Sequence, residues 1–186
     1  MSYVKIMVHV VWGTKRHASV LVKDKREILF NHIRENARAK GIYLDTIGGY
    51  TDHVHCLISL GADQNIAKVV QLMKGESSFW ANQQKLLKRR LTWAEDYFAA
   101  SVSESAVQKV RNYIHNQEEH HKKVSFASEY KKLMESHGFD LVEAKEDIEQ
   151  VTSSDAGFSF NWGEATNLQL QRVTPALAQA ANNPQL

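Results

Sequence analysis

The side chains of this 186-residue chain best suited to chemistry are two imidazoles two residues apart, in His53-Val54-His55, and a phenol four residues before an amide, Tyr113 and Gln117. On a strand, residues i and i+2 point to the same side, so His53 and His55 can meet one cation. On a helix, i and i+4 share a face, which puts Tyr113 beside Gln117. Two neutral imidazoles and an amide oxygen leave a divalent cation's full charge available to polarise a phosphodiester. A phenol next to such a cation is a nucleophile for phosphorus. The set lacks the thiolates or carboxylate of tight zinc sites, which favours Mg2+ or Mn2+. Each motif alone has a plain structural alternative: two strand histidines without a ligand, or a tyrosine packed at a helix flank. His115, Glu119 and His120 also suggest ligands, but the chain has no His-Glu-x-x-His, and Glu118–Lys123 reads as a solvated charged end.

The elements that must position these groups follow from hydrophobic periodicity. Val4, Ile6, Val8, Val10 and Trp12 alternate with Lys5, Met7, His9 and Val11, which predicts a strand with one apolar and one mixed face. A helix is predicted over 24–40, with Ile28, Leu29, Ile33 and Ala37 at helical spacing and a stop at Gly41. Strands over 42–48 and 53–60 flank a Gly48–Asp52 hairpin connection. An amphipathic helix over 64–84 turns Ile66, Val69, Val70, Met73 and Trp80 inward. A basic loop leads to a strand near 97–102. Ser105-Ala-Val-Gln108 has the form of a capping box opening a helix that runs to about 121, and a short helix follows at 126–138. The order predicts an α+β fold, a ferredoxin-like βαββαβ sandwich with an open-faced antiparallel four-stranded sheet and a C-terminal catalytic helix. Val54, Cys56, Ile58 and Leu60 should pack beneath the helices, leaving His53 and His55, and His9 with them, on the open side.

Charge divides the chain. Residues 1–140 hold 21 Lys and Arg against 15 Asp and Glu, residues 141–186 hold 2 against 6, and the net charge of +2 conceals this split. All nine His and the single Cys lie in the first part, a mildly basic body that hints at an anionic partner. Residues 141–186 read as an acidic, polar, weakly ordered tail. One cysteine excludes a disulfide framework and any zinc finger. The apolar run Ile6–Trp12 is too short for a signal peptide and nothing approaches a membrane span, so the expected location is the cytoplasm, with no membrane partner.

Asp52-His53-Val54-His55 after a Gly-Tyr turn, with Tyr113-x-x-x-Gln117, resembles the single-tyrosine HUH transposases of small bacterial insertion sequences, the transposase A family. His9-Val-Val-Trp-Gly-Thr-Lys15 and Lys74-Gly75-Glu-Ser77-Ser78 extend the resemblance over about residues 3–140. The chain is also similar to REP-associated tyrosine transposases. The resemblance implies a metal-dependent enzyme that cleaves and rejoins single-stranded DNA, with residues 1–140 as its catalytic domain. Tyr113 would form a 5′-phosphotyrosine link, and His53, His55 and Gln117 would hold the cation. It further implies recognition of DNA hairpins at element ends, a homodimer with shared active sites, and a nucleoid-associated protein of a prokaryote. Lys15, Arg16, Lys85, Lys88, Arg89 and Arg90 are the candidate DNA-binding residues, because cations attract any phosphate backbone. Two alternatives remain: a domesticated REP-associated nuclease or strand transferase, and a non-catalytic nucleic-acid-binding module.

Overall fold

In the computed structural model, residues 3–139 are described. The central strand is β1 (Ile6–Gly13), which pairs antiparallel with β3 (His53–Leu60) on one side and with β4 (Phe98–Val102) on the other. The edge strand β2 (Tyr43–Gly49) pairs antiparallel with β3, giving the order β2-β3-β1-β4 expected of the βαββαβ pattern. Helices α1 (Lys23–Ala39) and α2 (Ile66–Gln83) are the two crossovers. Asn65 caps α2, its side-chain oxygen accepting from the backbone N–H groups of Ala67 and Lys68.

The strand alternation sorts side chains onto two faces. Val8, Val10 and Trp12 of β1 and Val54, Cys56 and Ile58 of β3 point to the side covered by α1 and α2. There they meet Leu29, Phe30, Ile33 and Ala37 of α1 and Val69, Val70, Met73 and Ala81 of α2. The inward stripe predicted for α2 is present, with Ile66 and Trp80 at its half-buried margin. Cys56 is fully buried, and burial pushes its thiol well above the ordinary cysteine value. The Lys74–Ser78 segment ties α2 to the chain before β4. The Lys74 ammonium donates to the carbonyls of Glu95 and Asp96, and the Trp93 indole donates to Ser77 Oγ.

The other face carries Met7, His9 and Val11 beside His55, Leu57 and Phe98. Helix α3 (Val107–His115) lies across it, burying Met7, Leu57, Val107 and Ile114 in a second, smaller cluster. Arg111 of α3 holds Asp45 of β2 through two hydrogen bonds of 2.9 and 2.7 Å. The close approach of α3 depends on Gly48: a Cβ there would lie 2.3 Å from the Ile114 carbonyl oxygen. The face expected to stand open is therefore covered around the paired histidines. His53 and His55 are both 0% exposed.

Two local expectations differ from the structure. The Ser105–Gln108 capping box does not form: a 3-10 turn, Glu104–Ala106, leads directly into α3. Ser105 Oγ pairs with Ser103 Oγ instead, and the Gln108 amide donates along the helix to Asn112. The single helix predicted to reach residue 121 is two. Asn116 leaves helical geometry at φ −92°, ψ 16°, and α4 (Gln117–His121) starts after it. Helix α5 (Phe126–Ser136) follows. Contacts divide the chain after Tyr130, within α5. The expected tail, 141–186, lies outside the described residues. Among those described, no helix is long and apolar enough to cross a membrane.

Candidate active site

The site is built around the first two alternate positions of β3. His53 and His55 project from the face covered by α3, and each has its Nδ1 engaged. His53 Nδ1 lies 2.7 Å from Asp52 Oδ1, and His55 Nδ1 lies 3.0 Å from His9 Nε2. Fixing one ring nitrogen aims the other, so both Nε2 atoms face the same space. The inclusion of His9 on this face follows the alternation of β1, and its ring stacks on His55 with centroids 5.2 Å apart.

Gln117 reaches that space from the first residue of α4, its Oε1 3.2 Å from His53 Nε2. Tyr113 reaches it from α3 at the site's half-buried margin. The break at Asn116 does not separate them, because both side chains hydrogen-bond the same carboxylate. The Tyr113 hydroxyl and the Gln117 amide nitrogen, the latter at 3.1 Å, donate to Oε1 of Glu129 on α5. Thus Tyr113, His53, His55 and Gln117, singled out by spacing, are gathered around one buried carboxylate.

Glu129 and His121 are the residues that sequence reasoning misses. Glu129 is 3% exposed. Its Oε1 lies 3.5 Å from His55 Nε2, and its Oε2 lies 3.7 Å from His53 Nε2 and 2.9 Å from His121 Nε2. His121 Nε2 also lies 2.9 Å from Gln117 Oε1, while His121 Nδ1 meets the Val124 carbonyl at 2.7 Å. The run Glu118–Lys123 is therefore not uniformly solvated. His115 and Glu119 are exposed, but the His121 side chain is 2% exposed. Phe126 of α5 completes the wall, stacked on His53 with ring centroids 4.2 Å apart and planes 4° apart. Gly13 leaves it room, since a Cβ there would come within 2.9 Å of the Phe126 ring.

Burial sets the electrostatics. It drives the His55 imidazole down to about 4, so the ring is neutral at physiological pH and available as a ligand. Burial, reinforced by the neighbouring Glu129 carboxylate, pushes the Tyr113 hydroxyl well above the ordinary phenol value. Burial alone would raise the Glu129 carboxyl; His121, His55 and Tyr113 around it hold it far below the usual range instead. His121 is held above its ordinary value against its own burial, chiefly by Glu129.

The donor set fits a cation. His53, His55 and Glu129 offer ligand atoms that all lie within 4.8 Å of one another, as do His120, His121 and Glu129. His55 Nε2 and His120 Nε2 are buried without a hydrogen-bond partner. Such atoms cost about 1–3 kcal/mol each unless something binds them.

The candidate DNA-binding residues lie elsewhere on the surface. Lys15, Arg16, Lys85, Lys88, Arg89 and Arg90 are all solvent-accessible, and the structure brings their two segments together. Lys15 and Arg16 sit in a 3-10 turn after β1, held by a 2.8 Å bond from the Lys15 N–H to the Thr92 carbonyl. A groove of about 370 Å³ runs between them and Arg90. Arg90 also borders a wider groove with Lys85, Lys88, Arg89 and the exposed ring of Phe79.

An antiparallel ferredoxin-like sheet with a buried histidine pair, and a tyrosine brought to the same face by α3, is the arrangement that the resemblance to DNA-processing transposases implies. The comparisons with known proteins agree. Residues 2–117 match the family described as Transposase IS200 like, and the chain belongs to that family. The ISDra2 transposase TnpA of Deinococcus radiodurans is 32% identical over 116 residues, covering 59% of this chain and 81% of that protein. A solved structure from Deinococcus radiodurans, provisionally assigned as a transposase, is 28% identical with a TM-score of 0.51. It covers 63% of this chain and 95% of its own. A REP-associated tyrosine transposase solved bound to a REP hairpin shares the fold at 13% identity. Its TM-score is 0.51, over 86% of this chain and 97% of that one.

Proposed function

We propose that this transposase cleaves and rejoins single-stranded DNA through a covalent bond to Tyr113. The observation that carries the reading is the convergence of the Tyr113 hydroxyl on a buried His53–His55–Gln117 cluster whose His55 Nε2 has no hydrogen-bond partner. His53, His55 and Gln117 would hold a divalent cation, Mg2+ or Mn2+. When bound there, the cation supplies positive charge that polarises a phosphodiester. Asp52 and His9 keep the two imidazoles aimed, and Gln117 presents its carbonyl oxygen from the start of α4.

The Tyr113 oxygen attacks phosphorus and the bond to the 3′ oxygen breaks. The products are a 5′-phosphotyrosine and a free 3′-OH; the proton that the phenol loses is balanced by the one that the 3′ oxygen gains. The ester bond's energy is kept in the phosphotyrosine, so a 3′-OH can reverse the step and rejoin strands without ATP.

The solved REP-associated relative binds a hairpin. By the same reading this chain takes a DNA hairpin along the Lys15–Arg16 and Lys85–Arg90 grooves, whose cations are placed to contact phosphates. A homodimer with shared active sites, a catalytic domain ending near residue 140 and a nucleoid location belong to the same proposal.

Incubating the protein with labelled single-stranded DNA bearing a flanking hairpin tests it. A covalent adduct that is protease-sensitive, needs Mn2+ or Mg2+ and is absent from Tyr113→Phe is the expected result. Hairpin binding should survive in that variant. An adduct that persists in Tyr113→Phe, or forms equally in EDTA, overturns the reading.

A further inference from the structure

We infer that Glu129 is itself a ligand of the cation, making the centre His53–His55–Gln117–Glu129. This rests on the metal-site reading above and extends it to a helix outside the span matched by the family, residues 2–117.

Three observations carry the inference. The first is spacing. The Glu129 oxygens lie 3.5 Å from His55 Nε2 and 3.7 Å from His53 Nε2, and His53 Nε2 lies 3.2 Å from Gln117 Oε1. Ligands about 2.0–2.2 Å from a common cation stand roughly 3.0–3.6 Å apart, which these separations match within about 0.1 Å. The second is an unmet need. His55 Nε2 is buried without a hydrogen-bond partner, and it belongs with His53 and Glu129 to one group of ligand atoms within 4.8 Å of one another. The third is charge. A carboxylate 3% exposed has one imidazole, His121, paired with it at 2.9 Å and turns its other oxygen toward the neutral His55, where a divalent cation adds counter-charge.

The two carboxylate oxygens have separate surroundings. Oε1 accepts from Tyr113 and Gln117, while Oε2 pairs with the His121 imidazole at 2.9 Å. One side chain thereby joins the nucleophile's hydroxyl to the ligand set. It also adds a negative charge that His53, His55 and Gln117 do not supply, shifting the site toward cations that accept mixed imidazole and carboxylate ligands, such as Mn2+ and Co2+.

The test is direct titration of the full-length, metal-stripped protein with Mn2+ by calorimetry, and with Co2+ by visible absorption. Wild type, Glu129→Gln, Glu129→Asp and His55→Ala are compared, with near-ultraviolet circular dichroism to confirm folding. The expected result is one cation per wild-type chain and none for His55→Ala. Glu129→Gln should bind about tenfold or more weakly, with a Co2+ spectrum changed in position and intensity because a ligand atom has changed. Should Glu129→Gln not fold, Glu129→Asp carries the same comparison through its shortened reach. Wild-type affinity together with a wild-type Co2+ spectrum in the Glu129 variants overturns the inference, even where His55→Ala has lost the cation. Undiminished binding by His55→Ala instead overturns the metal-site reading itself. Two cations per wild-type chain overturn the assignment of Glu129 to a single centre.

Discussion

Replacing Gly48 by alanine tests whether the packing of α3 on β2 sets the position of the nucleophile. The new Cβ would stand 2.3 Å from the Ile114 carbonyl oxygen and 2.9 Å from its Cγ2, where real Cβ atoms essentially never approach within 3.0 Å. The nearer atom is helix backbone and cannot rotate away, so α3 must lift by about 0.7 Å merely to reach that limit. Ile114 is 1% exposed and belongs to the small cluster that holds α3 down, so lifting it also loosens Met7, Leu57 and Val107. Overpacking of this kind costs about 1–3 kcal/mol. Tyr113 precedes Ile114 and moves with it, and a displacement near 1 Å at a reacting group lowers rates by roughly 100-fold. Urea unfolding should therefore show a lower midpoint with an unchanged slope. Phosphotyrosine formation by the still-folded variant should fall by roughly ten- to 100-fold, with hairpin affinity unaltered because the basic grooves are formed by other segments. A folded Gly48→Ala protein that forms the adduct at the wild-type rate would show that the seating of α3 does not position Tyr113.

Two further outcomes follow from charge. His55 takes its proton at about 4 in the folded chain and near 6.5 when unfolded. Between those values the unfolded chain binds the extra proton, so stability falls as pH drops through the window, by on the order of 3 kcal/mol. His121 is shifted the other way, so its contribution is present below 6.5 and lost as pH rises above it. Urea midpoints measured in EDTA should thus peak near pH 6.5, and a flat profile from 4 to 6.5 contradicts the neutral, buried His55. Changing Lys85, Lys88, Arg89 and Arg90 together to alanine should weaken hairpin binding. The slope of log affinity against log salt should fall by about 0.7–0.9 for each phosphate that the variant no longer neutralises. An unchanged slope places the DNA elsewhere.

How much of this arrangement the sequence discloses depends on the range of the interaction. Alternation along β1 and β3 separates Val54, Cys56 and Ile58 from His53 and His55 because a strand's period of two is a local property, independent of what packs on it. Whether the histidine face is solvated is not local. It depends on Gly48 admitting Ile114 and on Gly13 admitting Phe126, both contacts between segments far apart in the chain. The capping box fails for the opposite reason: Ser105 and Gln108 have closer partners, Ser103 and Asn112, than each other's backbone.

Residues 118–123 look solvated only when charge is averaged over the run. Helix α4 is only five residues long, and its one turn buries Gln117 and turns the His121 side chain inward, while Glu119 beside them stays exposed. The spacing that singles out Tyr113 and Gln117 continues to His121, four residues further on. Extended by one step, the same i, i+4 rule finds the imidazole that meets both Gln117 and Glu129. Glu129 itself follows by a weaker rule: it lies three residues after Phe126, so the two share a helix face, and a lone carboxylate on a face anchored by a buried aromatic ring must find a partner inside. Its hydrogen-bond and ion-pair partners are Tyr113, Gln117 and His121, and the histidine pair of β3, far earlier in the chain, stands 3.5–3.7 Å from it. The pairing is beyond any local pattern, but the need for a pairing is not.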